Sequence, residues 1–235
     1  MPCWSLNGLL SFLGCAVFEP LESASFLRLS QKLLCLVLLA SGRRIGEVAY
    51  LSRVFSETPS SLSLRLVPGF SPKHHSPTFQ SLTPSIGYFS PSKSLDDVLC
   101  PVRAFHIFLD RSSSWLEDTP LAQRHPFLWS SPSSRPLSTR SLSNLFISVV
   151  KDSRRFHDLS ADIPVGPHGM RKFAASYSAQ VGQNEERVKR VMGFSSIRIL
   201  RKNYVAWVPP LRVPCVLPGG TFLPRFHEMS GSDSD

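Results

Sequence analysis

Apolar residues recur at helical spacing in several stretches of this chain. Between Ser25 and Ala40 they fall three or four positions apart, and Ser41-Gly42 follows as a natural stop. Helical character resumes from Arg43 to Leu51. Pro209-Pro210 ends the last helical stretch, because proline lacks the amide donor that a helix needs. The same spacing predicts four helices in the second half of the chain, over Ser141–Ser153, His168–Val181, Asn184–Met192 and Ser195–Val205.

A different period marks one segment of the first half. From Ser61 to Val67 leucine alternates with serine and arginine, which is typical of a half-buried β-strand, and Pro68-Gly69 closes it. Phe79–Phe89 is a weaker candidate for a returning strand, and Pro84 favours an edge position for it. The two strands predict a small antiparallel sheet. The expected fold class is therefore α+β and mainly α.

Two more segments supply apolar residues. Ser94-Leu-Asp-Asp97 has the form of a capping box, and the apolar positions from Val98 onward predict a helix to about Asp110. Leu9–Phe18 has the length of a signal-peptide core but lacks a basic segment before it, so we expect a buried helix or strand. The longest apolar run, Leu33–Ala40, is far below the ~20 residues that span a bilayer, so no membrane helix is expected.

Charge adds a clue to the kind of partner. The chain carries 26 Lys and Arg against 17 Asp and Glu, for a net charge of +9. This balance favours a polyanion such as nucleic acid, although solvated surface cations give the same number. The five cysteines are odd in number and scattered, which favours a reducing compartment over disulfides or a zinc site. We expect neither a metal nor a cofactor.

Three segments are candidates for chemistry, and each has a purely structural alternative. In Ser41–Val48, Arg44 stands at a helix start beside free amides that suit an anion; alternatively it pairs with Glu47 at the surface. In His168-Gly-Met-Arg171, an imidazole and a guanidinium on one helix face can reach the same phosphate; alternatively this is a basic helix start. The stretch Gly193–Tyr204 is a glycine stop before a basic helix that ends in tyrosine, which is otherwise a core or rim residue.

Together and in this order, the three segments resemble the tyrosine recombinase (phage integrase-like) family. That family's motifs run Thr-Gly-x-Arg-x-x-Glu, then His-x-x-Arg, then Gly-His-x-Ser and a distal tyrosine. Here they read Ser41-Gly-Arg-Arg44-Ile-Gly-Glu47, His168-Gly-Met-Arg171, and Gly193-Phe-Ser-Ser196 up to Tyr204. The resemblance covers about residues 24–208 and implies the family's catalytic domain there. Residues 1–23 are then an N-terminal extension, and residues 209–235 a Pro/Gly-bearing, acidic tail.

Within the family, the chain is similar to the recombinases of DIRS-like and Ngaro-like retrotransposons, through Leu99-Cys100-Pro-Val-Arg-Ala104 and Val208-Pro-Pro-Leu211. The resemblance implies a transposable-element origin, double-stranded DNA as partner and self-association on DNA. It also implies a nuclear location in a eukaryote and a cytoplasmic one otherwise. Family members usually carry an N-terminal helical domain that clamps DNA, and the ~25 residues before the first matched helix are too few for one. We therefore expect the catalytic half of the DNA clamp without the N-terminal half.

The resemblance implies a role for each matched residue. Tyr204 is the nucleophile and forms a 3′-phosphotyrosyl intermediate. Arg44 and Arg171 offer planar forks to the phosphate, which the point charge of lysine cannot reproduce. His168 hydrogen-bonds the phosphate or assists proton transfer. In the family, a lysine between two strands protonates the leaving oxygen, and Lys73 lies between the two predicted strands.

Alternatives remain at three positions. Lys73 has contact with the DNA backbone as its other role, and Lys93 is a poorer candidate for the acid. Glu47 orients Arg44 or is a packing residue. Phe194 stands where the family has His or Trp and cannot donate a hydrogen bond, a loss of roughly 3 kcal/mol or ~100-fold in rate. The leading hypothesis is DNA strand cleavage and rejoining; its rivals are a non-catalytic DNA-binding remnant and an unrelated basic helical scaffold.

Overall fold

The structure, a computed structural model, describes residues 3–58, 61–68, 70, 85–87, 98–116, 137–206, 208–209, 215–218 and 221–223. Within these stretches the helices are α1 Leu6–Leu13, α2 Phe26–Ser41, α3 Ile45–Val48, α4 Pro101–Arg111, α5 Thr139–Phe156, α6 His168–Gln180, α7 Glu185–Met192 and α8 Ile197–Asn203, with a 3-10 helix at Ser113–Leu116. The strands are β1 Leu51–Thr58, β2 Ser61–Leu66, β3 Ser85–Gly87, β4 Cys215–Leu217 and β5 Thr221–Leu223.

Helix α2 forms the centre of the core. Its sequence is apolar on almost every side from Leu33 to Ala40, and a helix of that kind is stable only when it is surrounded. Every residue from 29 to 41 is buried. Ser25 starts the helix by accepting the amide of Arg28, and Gly42 ends it in the left-handed conformation. Helices α4, α5 and α6 pack around it. Because α2 contacts α6, the turn at Gly42, where α2 ends, lies next to α6.

The fold class predicted from the sequence is confirmed, since the protein is mainly helical with a small antiparallel sheet in the order β1, β2, β3. Strand β2 confirms the alternating segment, with Leu62 and Leu64 buried. Strand β3 lies inside the predicted Phe79–Phe89, of which only residues 85–87 are described. The predicted helix up to Leu51 is wrong. Helix α3 is four residues long, and pairing with β2 draws the chain into β1 from Leu51 onward.

The predicted helices of the second half are confirmed as α5 to α8, with ends that coincide or differ by up to three residues. Serine or asparagine side chains cap α5, α7 and α8, which explains where these helices begin. Helix α4 begins later than predicted. Proline favours the first helical position, and the amide of Arg103 donates to Cys100 Sγ at 3.5 Å, so the helix starts at Pro101. The predicted capping box at Ser94–Asp97 lies outside the described residues.

The two ends of the described chain also contribute to the core. Helix α1 packs on α5 and covers the first half of the predicted Leu9–Phe18, since it ends at Leu13. The ring of Trp4 meets Phe146 and Phe173 edge-on, at centroid distances of 5.8 and 4.8 Å. Strands β4 and β5 form a hairpin, and β4 contacts α2 through a segment that includes the buried Leu217. Among the helices described, none is both long and apolar enough to cross a membrane.

Candidate active site

Three separate stretches of chain meet at the N-terminal half of α6. Gly42 to Arg44 lead from α2 into α3, Gly193-Phe194 lead from α7 towards α8, and Tyr204 ends α8. His168 is the first residue of α6, and Arg171 follows one turn later. The three motif segments recognised in the sequence are therefore neighbours in space.

Arg171 connects the first and third of these stretches. Its side chain is buried, and Nη1 donates to the carbonyl oxygens of Gly42 at 2.5 Å and Met192 at 2.7 Å. Within the described part of the chain, its Nε and Nη2 atoms make no well-aligned hydrogen bond, although the Tyr204 hydroxyl lies near the guanidinium. Buried polar groups without partners are costly, so these two donors mark a place where an acceptor such as a phosphate oxygen is favoured.

Two glycines allow this close approach. Gly42 has a φ of 60°, and a Cβ atom added to it would lie 2.5 Å from Met192 Cε. Gly193 has a φ of 68° and ends α7. The amides of Gly193 and Phe194 donate to carbonyls in the last turn of α7, which is the pair of crossing bonds of a Schellman motif. This turn directs the Phe194 side chain inward.

An aromatic pair encloses the Arg171 guanidinium. Its Cζ lies 4.0 Å from the centre of the Phe194 ring and 5.4 Å from that of the Tyr204 ring. The two rings meet edge to face with centroids 4.5 Å apart. Aromatic faces attract cations, so Phe194 stabilises the guanidinium by a cation–π contact although it lacks a hydrogen-bond donor.

Tyr204 also faces the imidazole of His168. The two ring centroids are 5.1 Å apart in an edge-to-face arrangement. His168 lies at the surface, and Tyr204 is half-buried. The nucleophile candidate thus stands at the border between the buried Arg171 and solvent, where a phosphate from outside can approach it.

Glu47 holds two arginines at the start of α3. Its Oε1 lies 3.1 Å from Arg44 Nη1, and its Oε2 lies 3.4 Å from Arg43 Nη1. The Arg43 side chain is 5% exposed, whereas that of Arg44 is 32% exposed. Arg44 is therefore the member of the pair that can reach a ligand from solvent. Sequence reasoning missed Arg43, whose adjacency to Arg44 was the available signal.

Charges at the site are concentrated and partly buried. Burial, followed by the nearby Arg44, lowers the pKa of Arg171 to about 10, while Glu47 and the Tyr204 hydroxyl act in the opposite direction. At neutral pH the guanidinium is still protonated. Burial also lowers the pKa of Arg43, against the effect of Glu47. The site holds more positive than negative charge, which suits a polyanionic ligand.

His168 responds to the same field. Partial removal of the ring from water lowers its pKa, and the charges of Lys172, Arg171 and Arg44 lower it further. At neutral pH the imidazole is therefore neutral and able to accept a proton. Lys172, to which sequence reasoning gave no role, is the first of these cations.

The structure brings together five of the residues singled out in the sequence around Arg171: Arg44, Glu47, His168, Phe194 and Tyr204. Lys73 lies outside the described residues. In the part of the chain that is described, no group of three or more His, Cys, Asp or Glu side chains is placed to hold a metal ion.

Comparisons with known proteins place the fold. No protein-family model matches the sequence, and no curated protein matches it. XerA recombinase is similar in structure, with a TM-score of 0.58 and 16% identity over 88% of this chain and 60% of that one. XerH site-specific recombinase bound to difH substrate has a TM-score of 0.58 and 14% identity over 88% of this chain and 50% of its own. The fold is that of a tyrosine recombinase catalytic domain.

The Tn1549 transposon integrase in complex with circular intermediate DNA shares the tyrosine recombinase fold, with a TM-score of 0.57 and 20% identity over 89% of this chain and 63% of its own. The present chain spans 50% to 63% of the length of these three proteins. The arrangement of α2, α6 and α8 around Arg171 is thus found within a fold that these recombinases share.

Proposed function

We propose that the protein cleaves and rejoins DNA strands, with Tyr204 as the nucleophile. The observation that carries this proposal is the position of the Tyr204 ring, which contacts His168 and Phe194 and lies 5.4 Å from the Arg171 guanidinium. A phenol beside a neutral imidazole and a buried cation has both a proton acceptor and a partner for the negative charge that develops.

In the proposed reaction, the Tyr204 oxygen attacks the phosphorus of a DNA phosphodiester in line. The new bond is a 3′-phosphotyrosyl ester, and the bond to the 5′ oxygen breaks. The phenolic proton passes to His168 or to water, and the departing 5′ oxygen takes up a proton. Attack by a 5′ hydroxyl on the phosphotyrosine reverses these steps, so rejoining needs neither ATP nor a metal.

The two arginines differ in how they serve the phosphate. Arg44 is partly exposed and is oriented by Glu47, which supports direct binding of its fork to a non-bridging oxygen. Arg171 is buried, and its Nη1 donates to two carbonyl oxygens. Its positive charge stabilises the phosphate electrostatically, and Nε and Nη2 are the donors that can bind a phosphate oxygen. Lys73 is the proposed acid for the leaving oxygen, and contact with the DNA backbone is its alternative role.

Double-stranded DNA is the proposed partner, in line with the net charge of +9. XerH bound to difH and the Tn1549 integrase bound to circular intermediate DNA support this, because they share the fold. Self-association on DNA, a DIRS-like or Ngaro-like transposable-element origin, and a nuclear location in a eukaryotic host are proposals that rest on the sequence resemblance.

A second candidate function is binding of DNA without cleavage. Phe194 favours it, because this residue fills the position of a hydrogen-bond donor and covers the Arg171 guanidinium. A remnant of this kind would keep the basic site and bind DNA while forming no covalent intermediate.

A covalent adduct separates the two functions. The protein is incubated with a nicked or gapped duplex that carries its element's terminal repeat, and adducts are resolved on a denaturing gel. Wild type should form an adduct that Tyr204→Phe cannot form. Tyr50→Phe is the matched control, since this exposed tyrosine stacks on Phe70 at 4.1 Å. It should leave the adduct unchanged.

Other outcomes have distinct meanings. If the protein retards DNA and neither wild type nor Tyr204→Phe forms an adduct, the cleavage proposal fails and the binding function stands. If no DNA is retarded even at low salt, only a basic helical scaffold remains.

A further inference from the structure

Ser176 binds backbone groups on both sides of Val205, the residue that follows the candidate nucleophile. It lies on α6, about two helical turns beyond His168. Its Oγ donates to the carbonyl oxygen of Tyr204 at 2.9 Å and accepts the amide of Ala206 at 3.1 Å. The Ser176 side chain is buried, and both bonds are partly buried.

The Ser176 hydroxyl donates to a different kind of acceptor from the hydroxyls of several other buried serines in the described chain. Buried helical hydroxyls commonly donate back to the carbonyl four residues earlier. Ser30 and Ser41 do so, towards Phe26 and Val37, and Ser112, just after α4, donates in the same way to Phe108. Ser176 instead directs its hydroxyl to another segment of chain, 28 residues away.

The end of α8 needs such a partner. The last carbonyls of a helix have no amide of their own helix to bind. The amides of Tyr204 and Val205 both donate to Leu200 O, which closes the last turn, and the chain then leaves the helix. The Tyr204 carbonyl is thereby left to Ser176. The next residue on α6 acts nearby, because Tyr177 Oη donates to Pro209 O at 2.8 Å.

We infer that Ser176 is a positioning residue that fixes Tyr204 on the helix that also carries His168 and Arg171. The inference rests on the function proposed above, because it assigns the tyrosine a nucleophilic role. Since one helix then carries the proton acceptor, the buried cation and the support of the nucleophile, the geometry between them is set within a single rigid element. A shift of the tyrosine by about 1 Å is enough to slow a reaction by up to ~100-fold.

Ser178 offers a matched control on the same helix. It is also buried, and among the described residues its Oγ has no hydrogen-bond partner. Ser176→Ala and Ser178→Ala therefore remove the same oxygen from the same helix, and only the first breaks contacts to the Tyr204 segment. Ser176→Cys keeps a weak donor of similar size and gives a graded variant.

The experiment uses the full chain and two readouts. Amide hydrogen exchange by mass spectrometry follows the peptide that covers residues 204–206, in the absence of DNA. Single-turnover adduct formation at saturating nicked duplex follows the chemistry, with gel retardation for binding. For Ser176→Ala we expect exchange about 3- to 10-fold faster and adduct formation about 10- to 100-fold slower, with DNA binding unchanged. Ser176→Cys should fall between, and Ser178→Ala should match wild type.

The outcomes separate this inference from the proposed function. If wild type forms no adduct, the proposed function fails, and the exchange comparison still decides whether Ser176 holds the segment. Unchanged exchange in Ser176→Ala overturns the inference. Equal effects of Ser176→Ala and Ser178→Ala also overturn it, since they would reflect general loosening of α6. If Ser176→Ala does not fold, Ser176→Cys carries the comparison.

Discussion

The Arg171 guanidinium lies 4.0 Å from the centre of the Phe194 ring. The tyrosine recombinase family, which the sequence resembles, has His or Trp at the position of Phe194. The phenyl ring replaces a hydrogen-bond donor by a cation–π contact. The contact keeps Arg171 in place, while in the proposed reaction a developing negative charge on the phosphate has one stabilising group fewer.

Phe194→His should therefore increase the rate of adduct formation, by up to ~100-fold, because it restores a donor at this position. Single-turnover assays with nicked duplex measure the rate. Phe194→Leu is the control: it keeps the apolar volume, supplies no donor and removes the cation–π contact, so its rate should not exceed that of wild type. A histidine variant no faster than wild type would contradict the assigned role of this position.

Arg171→Lys should lower the free energy of unfolding by about 1–3 kcal/mol and abolish the adduct. A lysine retains the charge but lacks the planar guanidinium whose Nη1 donates to both the Gly42 and Met192 carbonyls and whose Cζ lies 4.0 Å from the centre of the Phe194 ring, and unsatisfied buried acceptors are costly. Urea unfolding provides the measurement. Arg190→Lys, at an exposed position of α7, should change stability by no more than ~0.5 kcal/mol. Equal stability losses in both variants would argue against the bridging role.

Gly42→Ala should destabilise the fold by about 1–3 kcal/mol, because its φ of 60° strains an alanine and the new Cβ would meet Met192 at 2.5 Å. Gly46→Ala is the matched control, since among the described residues no atom outside its own helix and chain neighbours lies within 4 Å of an added Cβ there. The second substitution should be neutral or stabilising by up to ~1 kcal/mol. Urea unfolding of the two variants side by side tests this, and a tolerant Gly42→Ala would show that the turn relaxes.

The rate of adduct formation should persist below pH 6.5, the ordinary pKa of histidine, because burial and neighbouring cations lower the pKa of His168. Lys172→Gln removes the cation with the largest effect on the pKa of His168. It should therefore move the acid limb of the pH–rate profile to higher pH. Lys151→Gln is the control, as it is not among the groups that shift this histidine. If the acid limb does not move in Lys172→Gln, it does not report the titration of His168.

The same shift has a consequence for stability. The unfolded chain binds the His168 proton more readily than the folded one, so the destabilising contribution begins as pH falls below 6.5. It is complete once the pH lies below the lowered pKa of the folded state. Above pH 6.5 both states are neutral at this residue and the contribution is absent.

Lys73→Ala should abolish cleavage of an ordinary duplex if Lys73 protonates the leaving 5′ oxygen. A substrate with sulfur at that bridging position should restore cleavage, because a thiolate departs without an acid more easily than an alkoxide does. Lys93→Ala, a change in the other candidate lysine, should behave as wild type on both substrates. Failure of the sulfur substrate to rescue Lys73→Ala would leave DNA backbone contact as its role. Both lysines lie outside the described residues.

Much of the fold followed from local patterns. The apolar repeats of α2 and of α5 to α8 predicted helices because burial of one helical face requires that spacing. The alternation in β2 predicted a strand, because burial of one face of a strand requires an apolar residue at every second position. Motif order alone singled out Arg44, His168, Arg171 and Tyr204, which the structure brings around one helix end.

Tertiary contacts decided what local patterns do not encode. Strand β1 forms because β2 is available to pair with it. Arg171 reaches a carbonyl 129 residues earlier in the chain. Ser176 looks like any small residue of an amphipathic helix until α8 is seen to end beside it. Sequence alone predicted most of the helices and singled out the side chains that we propose carry the chemistry. Only packing decided which backbone groups those side chains hold, because hydrogen-bond partners far apart in sequence are chosen by the closure of the core.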